Sequence, residues 1–152
     1  MKNGFTLIEL LVVVAIIGML SSVVLASLNT ARGNARDARR QQDLKQIQVA
    51  LELYYNVNNA YPGEVACDTS KGSGTGNCAG YTGTDWDEDS YIHAALVPDY
   101  IPDLPKDPLN NVSYYYNYEP VGGNPRDNYC LGAALESGGR FQLKEGAQLG
   151  NC

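Results

Sequence analysis

Glu9 is the residue best placed to do chemistry, because it sets an ionisable carboxyl inside the apolar run FTLIELLVVVAIIGMLSSVVLASL, Phe5 to Leu28. A carboxylate in hydrocarbon costs on the order of 3 kcal/mol at mid-span and less near an end, so an acid there usually marks a function. At helical spacing residues 5 and 9 lie one turn apart on one face. Two plainer readings also stand: Glu9 snorkels to the membrane surface, or it offsets the positive end of its own helix.

Three other groups of reactive residues need weighing. Arg32, Arg36 and Arg40 recur every fourth residue, with Arg39, Lys45, Asp37 and Asp43 nearby. This row reads as a solvated stripe with weak internal ion pairs, as contacts between subunits, or as a strip for phosphates. A net charge of −6 argues against DNA as a partner. Cys67, Cys78, Cys130 and Cys152 all follow the apolar run. If that part of the chain lies outside the cytoplasm, the pairings Cys67 with Cys78 and Cys130 with Cys152 each close a short loop, and each contributes about 2 to 3 kcal/mol. Four free thiols are the alternative. Zinc is disfavoured, since there is no C-x2-C pair and His93 is the single histidine.

Asp85, Asp87 and Asp89 alternate as at the start of a calcium loop, with Glu88 beside them. Ser90 stands where the sharp turn needs glycine, and Leu96 where the bidentate glutamate belongs, so calcium is a weak expectation against a solvated acidic loop. No cofactor is otherwise expected. Gly72, Gly74 and Gly76 lack the Lys and Ser or Thr of a phosphate loop, and His93 has no catalytic companion. The chain does not read as an enzyme.

The elements that position these residues follow from periodicity. Residues 5–28 are long enough to span a membrane, and a secretory signal peptide would be shorter, although Ala26 and Ser27 keep cleavage there open. Residues 29–58 turn polar without a loop signal, and Leu44, Ile47, Leu51 and Tyr54 form an apolar stripe at three- and four-residue spacing. One helix is therefore predicted from Phe5 to about Asn58, roughly 80 Å long at 1.5 Å per residue. Residues 59–152 should form a small disulfide-stapled domain, with a long surface loop over 63–89, a short helix or turn at 91–97 and a proline-set extended stretch over 99–111. Strands are predicted at Val112–Glu119, Asn128–Glu136 and Arg140–Glu145, forming an antiparallel sheet over the helix stripe. The fold class is α+β. Eleven Tyr against two Phe and one Trp predict half-buried rings with polar tips at the surface.

Gly4-Phe5-Thr6-Leu7-Ile8-Glu9, behind the basic leader of residues 1–4 and ahead of an unbroken apolar run, resembles the processing site of type IV prepilins and of the pseudopilins of type II secretion. That resemblance implies cutting after Gly4 by a membrane-embedded prepilin peptidase, methylation of the new N-terminus at Phe5, and pairing of Glu9 with the amine of a neighbouring subunit. It implies a structural subunit: a homopolymer built by an assembly machinery, held in the inner or cytoplasmic membrane as precursor and later in a surface pilus or a periplasmic pseudopilus. Gly18 matches a glycine where pilin helices are locally loosened, and it also fits simple tolerance in a membrane helix. Pilins often carry a proline near Ala26, and its absence here removes the obvious kink. The positive-inside rule, weighing Lys2 against the arginine cluster, places the C-terminal side in the cytoplasm, whereas the resemblance implies the reverse. The leading expectation is a type IV pilus subunit. The alternatives are a pseudopilin of a type II secretion system and a membrane-anchored binding module that never polymerises.

Overall fold

A computed structural model describes residues 6–63, 68–69, 86, 90–121 and 127–145. Helix α1 runs Leu7–Asn58, strand β1 Asp68–Thr69, helix α2 Tyr91–Leu96, and strands β2 Tyr116–Val121, β3 Asn128–Ala134 and β4 Arg140–Glu145. The chain divides into two compact units, Met1–Ala35 and Arg36–Cys152.

In the first unit the apolar run is helical, and its large side chains from Leu7 to Leu28 are 42 to 81% exposed. The helix is long and apolar enough to cross a membrane. Two of its hydroxyls bond back to the helix: Ser22 donates to the Met19 carbonyl at 2.8 Å, and Thr30 to that of Ala26 at 3.3 Å. The helix continues unbroken through Gly18.

In the second unit α1 buries Leu44, Ile47, Ala50 and Leu51 against the sheet, as the three- and four-residue spacing predicts. It ends where Asn59 turns left-handed at φ 52°, with the Asn59 N–H on the Tyr55 carbonyl at 2.8 Å. The sheet is an antiparallel meander in the order β1-β2-β3-β4, with Tyr118 opposite Leu131 and Leu131 opposite Leu143. The three longer strands were foreseen. Strand β1, two residues paired to Tyr118 and Asn117, falls in a stretch expected to be loop.

Strand β2 starts at Tyr116, four residues later than predicted. The Asn111 carboxamide oxygen accepts from the N–H groups of Ser113 and Tyr114 at 2.9 and 3.0 Å, folding residues 111–114 into an Asx turn. The core also takes in Trp86, Ile92, Leu96, Ile101 and Leu104. Tyr116, Tyr118 and Tyr129 are fully buried, which corrects the expectation of polar tips at the surface. Their hydroxyls are met inside the fold: Tyr116 donates to Asp43 at 2.8 Å, Tyr118 to the Pro62 carbonyl at 2.8 Å, and Tyr129 to Glu52 at 3.4 Å.

Candidate functional site

At the start of α1, Glu9 bonds back to Thr6. The Thr6 N–H and hydroxyl both donate to Glu9 Oε2, at 2.9 and 2.6 Å, and the Glu9 N–H approaches Thr6 Oγ1 at 3.4 Å. This is the reciprocal pattern of a capping box, T-x-x-E, which satisfies donors that every helix start leaves open. The motif stands in the sequence as Thr6-Leu7-Ile8-Glu9. Within one chain Glu9 is therefore a bonded acceptor on an exposed apolar helix. Gly4 and Phe5, the residues expected to be processed, lie outside the described residues. A Cβ at Gly18 would meet no atom within 4 Å, so nothing within one subunit requires glycine there.

The arginine row does not face outward as a whole. Arg32 and Arg39 are exposed and Arg36 is half-buried, but Arg40 is completely buried. Arg40 holds Asp107 in a two-point fork, Nε to Oδ2 at 2.6 Å and Nη2 to Oδ1 at 3.0 Å. Its Nη1 donates to Asp37 at 2.7 Å and to Glu136 at 2.8 Å, and the Tyr114 ring lies 4.7 Å from its guanidinium carbon. Arg36 forks onto Glu136, Nε to Oε1 at 2.7 Å and Nη2 to Oε2. Arg40 is thus withdrawn as a contact between subunits or a phosphate ligand. Asp37 is three residues away, but Asp107 and Glu136 are 67 and 96 positions away in sequence, beyond any local pattern.

The carboxylates of this cluster have no spare donors to find. Asp107 also accepts from the N–H groups of Leu109 and Asn110, at 2.8 and 3.2 Å, which fixes a turn with Asn110 at φ 41°. Asp37 accepts from the N–H groups of Glu136 and Ser137, both at 2.9 Å, where β3 leads into the β4 turn. Burial pushes the Asp37 carboxyl up, yet the Glu136 and Ser137 N–H groups and Arg40 outweigh it and hold the value at about 2. The Arg36 fork holds Glu136 at about 2 against the opposing effect of burial, with Arg40 assisting. Burial works against the charged form of Arg40, and its bonds to Asp107, Glu136 and Asp37 overcome that and raise it. One segment of α1 is thereby tied to the loop after Asp107 and to the β3–β4 turn.

Cys130 is disulfide-bonded. Cys67, Cys78 and Cys152 lie outside the described residues, as do Asp85, Asp87 and Asp89, the candidates for calcium. Among the described residues no group of three His, Cys, Asp or Glu is arranged to hold a metal ion. His93 is half-buried in α2, its backbone N–H on the N-cap Ser90 hydroxyl at 3.1 Å.

The chain's features therefore concentrate in the apolar helix start and in the tie between α1 and its sheet. The family described as the prokaryotic N-terminal methylation motif matches residues 1–25. Type II secretion system core protein G of Pseudomonas aeruginosa is 32% identical over 139 residues, covering 91% of this chain and 88% of its own. That of Vibrio cholerae is 31% identical over 158 residues, covering 99% and 91%. The type IV wide pilus major component PilA4 of Thermus thermophilus is 41% identical over 74 residues, 47% of this chain and 56% of its own. No solved structure matches the chain significantly. With an exposed apolar helix at one end, a small sheet on the other half of that helix, and a relative similar over nearly its whole length, the chain belongs to the family of type IV pilins and type II secretion pseudopilins.

Proposed function

We propose that the chain is the structural subunit of a type IV pilus, cut after Gly4 by a prepilin peptidase and polymerised through its N-terminal helix. The observation that carries this reading is the exposure of every large apolar side chain from Leu7 to Leu28 in the single chain. Such a surface needs a cover. The membrane covers it in the precursor, and copies of the same helix cover it in the filament once the assembly machinery has extracted the subunit. Cutting after Gly4 leaves an ammonium on Phe5. In the filament Glu9 exchanges its bonds to Thr6 for that amine on a neighbouring copy, so two costly charges are paired within an apolar setting. The outer domain faces the cell exterior, where Cys67 with Cys78 and Cys130 with Cys152 close its loops. No catalytic role, metal or DNA enters this reading.

The coverage of the relatives favours a second reading, a pseudopilin of a type II secretion system. Two core protein G relatives align with 91% and 99% of the chain, the pilus component with 47%. Mass spectrometry of the mature N-terminus separates the two. N-methylated Phe5 in filaments sheared from cells supports the pilus, and the same species confined to membranes supports the pseudopilus. Intact Met1 in both fractions would overturn processing altogether. Glu9→Val should insert normally and assemble poorly; normal filament yield would remove the pairing role.

A further inference from the structure

The side of α1 turned away from the sheet in the second unit is not polar throughout. Val49, Leu53 and Val57 are 59, 48 and 68% exposed, and their four-residue spacing lines them along one face. The exposed charges beside them are cationic: Lys45, and Arg39, whose largely exposed side chain also reaches Asp43 at 3.6 Å. The acids of the same stretch are occupied: Asp37 and Asp43 are buried, and Glu52 accepts from Tyr61 at 3.1 Å. An apolar stripe with a basic flank results.

The segment 98–112 presents the complement. Leu109 and Val112 are exposed at 41 and 68%, and Asp99 and Asp103 are exposed with them, against one exposed base, Lys106. The segment is not free to collapse onto its own chain, because Ile101 and Leu104 are in the core and Asp107 is held by Arg40. Its outward side chains are therefore presented from a fixed backbone, which lowers the ordering entropy of binding.

We propose that the Val49–Leu53–Val57 face of one copy docks on segment 98–112 of a second copy. The valines and leucine meet Leu109 and Val112, and Arg39 and Lys45 meet Asp99 and Asp103. The occupant is a second copy because apolar surface meets apolar surface and basic flank meets acidic flank within one sequence. The two patches are different, so the contact is head-to-tail and repeats from copy to copy, the geometry of an open filament. The proposal rests on the reading that the chain polymerises and adds where the outer domains touch.

The test uses the full chain in cells with the photoreactive residue p-benzoylphenylalanine at Leu53, and in parallel at Val13. Irradiation should give an adduct of twice the subunit mass at each position, and peptide mapping should join the Leu53 probe to the segment holding Leu109 and Val112. A Val13 adduct without a Leu53 adduct, or a Leu53 adduct mapped to another segment, overturns the docking and leaves polymerisation standing. No adduct at either position, with no sheared filaments, removes both. Lys45→Asp should cut filament yield roughly tenfold, and adding Asp103→Lys should restore it; a double variant as poor as the single would also overturn the pairing.

Discussion

Arg40 Nε lies 2.6 Å from Asp107 Oδ2, and both side chains are completely buried. A guanidinium in that position is tolerable only because Asp37, Asp107 and Glu136 together take up its donors. Removing it leaves carboxylates in a site with little water, which is more damaging than the loss of one bond. Arg40→Met should lower the stability of the full chain in detergent micelles by about 3 to 5 kcal/mol, and chemical denaturation measures it. Arg32→Met, at an exposed position, should change it by less than about 0.5 kcal/mol.

Acid should loosen the same cluster. Asp37 and Glu136 are both held at about 2, below the ordinary values of 3.8 and 4.5. A depressed carboxyl contributes stability that is complete above its unfolded value and is lost as pH falls toward the folded one. Thermal melts of the full chain should therefore be flat from pH 7 to about 5 and decline between about 4.5 and 2. Glu136→Gln should shrink that decline, because Arg36 then loses its charged partner.

Alkali should act on the buried tyrosines. Burial is the largest cause raising the Tyr61, Tyr116 and Tyr129 hydroxyls, with Glu52 or Asp43 adding to it. A raised phenol contributes stability that is complete below about pH 10, the ordinary value, and is lost as pH climbs beyond it. Spectrophotometric titration should show these three phenols ionising only as the domain unfolds.

How much of this was legible in the sequence depends on distance along the chain. The Leu44, Ile47, Leu51 repeat marked the buried face of α1, because helix periodicity is a local property. Strands β3 and β4 were placed by their own alternation, whereas β2 was drawn too long because the Asn111 turn consumes residues that have strand-forming side chains. Arg40 was misread for a different reason. Its spacing from Arg32 and Arg36 looks like a surface row, and only the return of Asp107 and Glu136 to the helix turns it inward. The motif Thr6-x-x-Glu9 was readable and overlooked beside the question of charge.

The Thr6 cap gives a prediction at the other end of the molecule. Thr6→Ala removes the hydroxyl that Glu9 binds and that approaches the Glu9 N–H. Loss of a helix cap costs about 1 kcal/mol, so amide exchange over residues 7–10 in micelles should speed up about fivefold while exchange over 44–51 stays unchanged. Equal rates in both chains would show that the cap is not formed in the membrane-like setting.

The tie formed by Arg36 and Arg40 also has a mechanical reading. It begins at the first residue of the second unit, and its two guanidiniums reach a loop and a hairpin turn from adjacent turns of one helix. Tension drawn along α1 would load these bonds in parallel and in shear, so that several must rupture together before the sheet peels away. A subunit hauled by its helix would then carry its outer domain with it as cargo, and the strength of that coupling under force would be set by two arginines, one half-buried and one wholly buried.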